Sequence, residues 1–187
     1  MRRFLTLVLF MAAAIAASTG PAAAQIDLIQ RNALMEAVKQ DDLDALRAAL
    51  IRNASPNVVD GEGRTPLILA VTNGNPGMVR ALVQAGAFVD QADRLGGTPL
   101  FRAAAEGAAD IVSFLIESGA SVDQEDRQGM TPLMAAARGG HAEAVRLLIE
   151  AGADVDRLDY TGRSALMWAE GSRSREVAEI LRGAGAS

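Results

Sequence analysis

Apolar residues in this chain fall in two helical stripes, and the pair of stripes returns every 33 residues. Leu67 and Ala70, Leu100 and Ala103, Leu133 and Ala136, and Leu166 and Ala169 each lie on one face of a short helix. The alanines let neighbouring helices approach closely. A second stripe follows: Val79, Leu82 and Val83; Val112, Leu115 and Ile116; Val145, Leu148 and Ile149. Polar residues mark where each element starts and stops. Thr65-Pro66, Thr98-Pro99 and Thr131-Pro132 predict first-helix starts, with Thr as N-cap and Pro where no amide is needed. Ser164-Ala165 is a degraded fourth copy. Gly74, Gly107 and Gly140 predict a left-handed end to the first helix; Gly86, Gly119, Gly152 and Gly185 do the same for the second. Asp60, Asp93, Asp126 and Asp159 each precede a glycine by three residues (Gly63, Gly96, Gly129, Gly162), which predicts a tight turn capped by the carboxylate.

A fixed period of this length means a stacked array in which each unit buries its apolar face against its neighbours. Gly140-His141 and the run from Leu147 through Ile149, Gly152 and Ala153 to Asp156 sharpen the picture. In these residues, and in its Thr-Pro-Leu copies, the chain resembles the ankyrin-repeat family over nearly all of its length beyond residue 24. The resemblance implies an all-α solenoid of helix-turn-helix units with β-turn tips, about five units including two caps. The expected units are an N-terminal cap at 25–59, full repeats at 60–92, 93–125 and 126–158, and a C-terminal cap at 159–187, with nothing else appended. In the N-terminal cap Asn32 to Ala37 aligns with Thr65 to Ala70, Asn53 replaces the helix-ending glycine, and Asp41, Asp42 and Asp44 are expected on the second helix. In the C-terminal cap Arg182 replaces a buried aliphatic residue, as a solubilising end requires. One departure recurs. The family usually carries His directly after Thr-Pro-Leu, whereas this chain has Ile68, Phe101, Met134 and Met167, so packing must replace those hydrogen bonds.

The first 24 residues read differently. Arg2 and Arg3, an apolar run from Phe4 to Ala17, and Ala22-Ala23-Ala24 before Gln25 have the layout of a secretory signal peptide cleaved near Ala24 and Gln25. An uncleaved inner-membrane anchor is the alternative. Removing Arg2 and Arg3 from 18 basic residues leaves 16 against 23 acidic ones, a net charge of −7. That balance argues against nucleic acid as a partner. There is no cysteine, so neither a disulfide framework nor a thiolate nucleophile is available. Lys39 is the only lysine, the usage of a GC-rich bacterial genome, which makes the periplasm the expected destination.

Candidate chemistry is sparse. His141 is the only histidine and falls at the turn between paired helices, a structural position. Asp154 to Asp159 lacks the ligand and glycine spacing of a calcium loop, and Gly61-Glu62-Gly63 lacks the Lys-Ser/Thr of a phosphate loop. No cofactor, metal or catalytic constellation is expected, so the chain reads as a non-enzymatic, monomeric binding module for one or more proteins. A small-ligand binder or enzyme would have to use Arg102, Glu106, Arg138 and Glu170 in the concave groove. Trp168 is either a binding anchor or the filler of the last gap between units.

The resemblance implies that partners meet the turn tips and first helices, where the copies vary. The tips offer Glu62 and Arg64, Arg94 and Leu95, Arg127, Gln128 and Met130, then Tyr160 and Arg163; the first helices add Thr72, Asn73, Glu106 and Arg138. Arg64, Arg94, Arg127 and Arg163 form one row on an acidic protein. With Leu95, Met130 and Tyr160 as apolar anchors, the row suits an acidic patch on a partner. Each arginine also lies close to a turn aspartate in sequence and could simply balance it.

Overall fold

The computed structural model describes residues 33–186. The expected signal segment and Asn32 lie outside the described residues. Ten helices and no strand are present among them. They are α1 (33–39), α2 (Leu43–Ile51), α3 (Pro66–Thr72), α4 (Pro76–Gln84), α5 (Pro99–Glu106), α6 (Ala109–Glu117), α7 (Pro132–Gly139), α8 (Ala142–Glu150), α9 (Ala165–Gly171) and α10 (Arg175–Gly183). From α3 onward each odd helix packs against the even helix that follows it, both stack on their counterparts in the next unit, and α2 packs on α4. The result is a two-layered all-α solenoid.

Local chemistry sets the boundaries. The hydroxyls of Thr65, Thr98 and Thr131 accept from the amides of Ile68, Phe101 and Met134 at 3.2, 3.1 and 3.3 Å, and Ser164 accepts from Met167 at 3.4 Å. The second helices end at Gly86, Gly119, Gly152 and Gly185, with φ of +87°, +88°, +87° and +97°. The alanine after each glycine then donates back to Leu82, Leu115, Leu148 or Leu181 at 3.0 Å. Asn53 (φ +63°) does the same work in the first unit, as its alignment with those glycines predicts.

The end units keep this geometry with less suitable residues. Asp41 (φ +55°) and Arg173 (φ +60°) occupy the left-handed position that glycine holds at 74, 107 and 140. A non-glycine residue there costs about 1–2 kcal/mol. This corrects the expectation that Asp41 and Asp42 ride on α2. Asp41 makes the left-handed link, and Asp42 is the N-cap, accepting from the Ala45 amide at 2.9 Å. Only Asp44 lies on the helix.

The core is the stripe set. Leu67, Leu82, Leu100, Leu115, Leu133, Leu148 and Leu181 are fully buried, as are Ala70, Ala103, Ala136 and Ala169. Each buried leucine contributes about 1.5–3 kcal/mol. Ile68, Phe101 and Met134, which stand where the family favours His, are buried as well, so packing does replace that network; Met167 in the last unit is half exposed.

Polar ties stitch one unit to the next on both edges. Asn57 Oδ1 accepts from the Phe88 amide at 2.8 Å, Asp90 from Ser121 at 2.9 Å and Asp123 from Asp154 at 3.2 Å, the same column each time. Nearer the turns between paired helices, Asn73 donates to the Val38 carbonyl at 2.7 Å and Ser172 to the Ala137 carbonyl at 3.3 Å. His141 Nε2 meets the Ala105 carbonyl at 3.0 Å, so its ring is a tie between units.

The close seat of that ring gives a differential test. A Cβ added at Gly107 (φ +69°) would lie 2.4 Å from His141 Nδ1, whereas one at Gly74 (φ +67°) meets nothing within 4 Å. Gly74→Ala should cost about 1–2 kcal/mol of backbone strain. Gly107→Ala should cost that plus about 1–3 kcal/mol of overpacking, read as the larger fall in urea midpoint.

Candidate partner-binding surface

Every tip is built on one carboxylate oxygen. Asp60 Oδ1 accepts the amides of Glu62 and Arg64 at 2.8 and 2.9 Å. Asp93 takes Leu95 and Gly97, Asp126 takes Gln128 and Met130, and Asp159 takes Thr161 and Arg163, all at 2.8 and 3.0 Å. The turn so fixed points one amide sideways at its neighbour. Arg94 donates to the Glu62 carbonyl at 3.1 Å, Arg127 to Leu95 at 3.0 Å and Tyr160 to Gln128 at 3.0 Å. Two residues of chain between successive bonds make the tips one continuous backbone rail, advancing about 10 Å per unit.

The other oxygen of each aspartate distinguishes the units. Asp60 Oδ2 takes Arg64 of its own turn at 2.9 Å. Asp93 Oδ2 takes Arg102 Nη2 from α5 at 2.5 Å, and Asp159 Oδ2 takes the Trp168 indole N–H from α9 at 2.9 Å. Arg102 and Trp168 occupy equivalent positions, 33·2 residues apart in sequence register. Gly97 makes room for Arg102: a Cβ there would lie 2.9 Å from its Nε. Trp168 therefore holds the last turn while its ring stays only partly buried.

The expected arginine row divides. Arg64 is spent on Asp60 at 2.8 Å and Glu62 at 3.1 Å, the local balancing that its position allowed. Arg94 and Arg127 are exposed and make no ion pair among the described residues. Arg163 lies over the Trp168 ring, 4.8 Å from its centroid, and Arg138 lies 5.6 Å from the same centroid. Among the apolar anchors, Leu95 is 66% and Tyr160 73% exposed. Met130 is not an anchor but 1% exposed, which corrects its place on the surface. Its side chain folds back toward the first helix, and its sulfur rests 3.7 Å from Arg138 Nη1. Glu62, Gln128 and Glu106 are exposed. Thr72 and Asn73 are exposed too, but their polar groups are committed to the Ile68 and Val38 carbonyls.

Three depressions lie along this face. One of about 430 Å³ runs between the first two tips, beside Arg64, Ile68 and Arg102. One of about 230 Å³ lies beside Leu95, Phe101, Arg127 and Met130. One of about 410 Å³ lies between α7 and α9, lined by Arg138, Arg163, Met167 and Trp168. Arg102, expected only as a groove residue for a small ligand, and Trp168, expected as either anchor or gap filler, are surface-shaping residues that the protein-binding candidates did not include. Their shared column, opposite the turn aspartates, is the signal that marks them.

A family model described as ankyrin repeats (3 copies) matches residues 34–126 and 119–187. The chain belongs to the ankyrin-repeat family. No curated protein matches it. Ankyrin repeats are in general protein–protein interaction modules, which suits a face made of fixed turns and variable side chains.

The turns that carry this ankyrin surface are acid-sensitive. Burial alone would raise the Asp60 carboxyl, but the amides and side chain of Arg64 and the amide of Glu62 outweigh it. Burial acts likewise on Asp159, where the Thr161 hydroxyl, the amides of Arg163 and Thr161 and the indole N–H prevail. Both groups titrate below the ordinary 3.8. A carboxyl lowered in the folded state binds its proton more readily when unfolded. The two turns thus add stability above about pH 4 that is lost as the pH falls through their folded values. Asp159→Asn should lower the urea midpoint at neutral pH and flatten the acid limb of the stability–pH curve.

Proposed function

We propose that this protein is exported to the bacterial periplasm, loses its leader near Ala24 and Gln25, and there binds one or more partner proteins. It acts as a scaffold, stabiliser or inhibitor through its turn tips and concave first-helix face, and the partner presents an acidic patch. The supporting observation is how the side chains are used. The columns that repeat are spent on helix caps, turns and core, while the exposed tip positions differ from unit to unit. Arg94, Arg127, Arg138 and Arg163 lie there without a carboxylate partner among the described residues. On a chain with net charge −7 beyond the leader, that cluster is the place where an acidic surface is attracted rather than repelled. A groove acting on a small ligand would need convergent acid and base groups. Glu170 is instead paired with Arg182, and His141 with a backbone carbonyl.

The test is affinity capture from periplasmic extract with Arg94→Glu and Arg127→Glu combined. Partner recovery should fall about tenfold or more, with the association rate and its salt dependence changing most. N-terminal sequencing of the exported protein should begin at Gln25. Unchanged recovery by a folded variant contradicts the arginine face, and an intact leader contradicts cleavage.

A further inference from the structure

The C-terminal end of the concave face differs from the rest in how its charges are held. At the first groove two of the three cations already have their anions, Arg64 with Asp60 and Glu62, and Arg102 with Asp93, and only Arg94 is uncommitted. At the last groove Arg138 and Arg163 are instead held against one indole, at 5.6 and 4.8 Å from its centroid. A guanidinium over an aromatic ring uses its flat face there. Apart from the Arg138 Nη1 contact to the Met130 sulfur at 3.7 Å, neither guanidinium has a side-chain hydrogen-bond partner among the described residues, so the in-plane N–H donors are open to a carboxylate. The indole is itself locked, because its N–H is bonded to Asp159 Oδ2 and Asp159 is 5% exposed. That carboxylate cannot serve the arginines as well, since its Oδ1 already takes two amides and the Thr161 hydroxyl. The buried Met130 sulfur contacts Arg138 Nη1 at 3.7 Å, and Met167, 50% exposed, offers an apolar wall.

We propose that Arg138, Trp168 and Arg163 form a carboxylate-binding subsite that takes an acidic side chain of a partner protein segment, with the apolar residue beside it resting on Trp168 and Met167. The proposal rests on the reading of the chain as an interaction module and names the part of the partner that the module grips. The occupant follows from charge and shape. The subsite holds two cations and no uncommitted anion, and Arg138 of its cavity of about 410 Å³ also lines the neighbouring depression with Arg127, beyond which lies the one lined by Arg94. A segment with successive acidic residues can follow that row of depressions, whereas a small isolated anion can use only the last groove.

Trp168 is the single tryptophan of the chain, so its emission reports on this subsite alone. The leaderless protein is titrated with acetyl-Glu-Leu-Glu-Leu-Glu-amide, with its Gln counterpart, and with inorganic phosphate. The expected result is a saturable change in emission with the acidic peptide below millimolar concentration and none with the Gln peptide. Arg138→Gln or Arg163→Gln should each weaken it about tenfold, the loss of one charge-assisted hydrogen-bonded pair. Arg175→Gln, which removes the same charge from an exposed pair on α10, should leave it unchanged. Equal binding of the Gln peptide, an equal response to phosphate, or no saturation at millimolar peptide overturns the subsite. Capture of a partner that is lost with the Arg94 and Arg127 reversals but survives Arg138→Gln with Arg163→Gln overturns the subsite and leaves the interaction module standing. Loss of capture in both sets agrees with the two together.

Discussion

One aspartate oxygen in each of the four units that begin at Asp60, Asp93, Asp126 and Asp159 carries the geometry of the array. It accepts the amides two and four residues ahead, and the turn closes when the aspartate amide donates back to the fourth residue's carbonyl, at 3.0 or 3.1 Å in all four copies. This pairing lets Gly63, Gly96, Gly129 and Gly162 sit at positive φ, and it turns the next tip amide toward the preceding unit. Without it, two amides per turn lose their acceptor, at about 1–3 kcal/mol for each buried group. The helices below then lose their register, because the Thr-capped start of each first helix follows directly from the turn.

Given that constraint, the units stack through a repeating set of contacts, and the repetition decides where recognition can occur. Alanines at 70, 103, 136 and 169 bring the first helices close, leucines fill the second layer, and carboxylate or amide ties close the far edge. These positions have no freedom to recognise anything. The second oxygen of each turn aspartate does vary. Arg64, Arg102 and Trp168 satisfy it in three units by three routes, and those choices set which cations remain uncommitted on the concave face. The surface chemistry of this protein is thus a by-product of how each turn is completed.

Much of this was legible in the sequence because backbone chemistry leaves local signatures. Thr-Pro starts, Asp and Gly turns, left-handed glycines and the apolar stripes all follow from one residue and its near neighbours. The end units were harder to read. Asp41 and Arg173 adopt the left-handed conformation where glycine would announce it, since the caps tolerate strain that the interior repeats avoid. On the surface, Met130 shares its column with Arg64, Gly97 and Arg163, and nothing local says that the Met130 side chain alone folds inward. The roles of Arg102 and Trp168 depend on an oxygen in the preceding turn, which a reading for variability passes over. The tip rail was hidden for a simpler reason: it is made of backbone, and side-chain identity does not report it.

The central claim is that the turns are joined into the fold, so that the tips present side chains from a rigid backbone. Native-state hydrogen exchange at the amides of Arg94, Arg127 and Tyr160 tests this most directly. The rail predicts that these amides are protected to within about 1 kcal/mol of the α5 and α7 helical amides, and open with them as one unit. Exchange at the rate of free turns, while the helices stay protected, would contradict it.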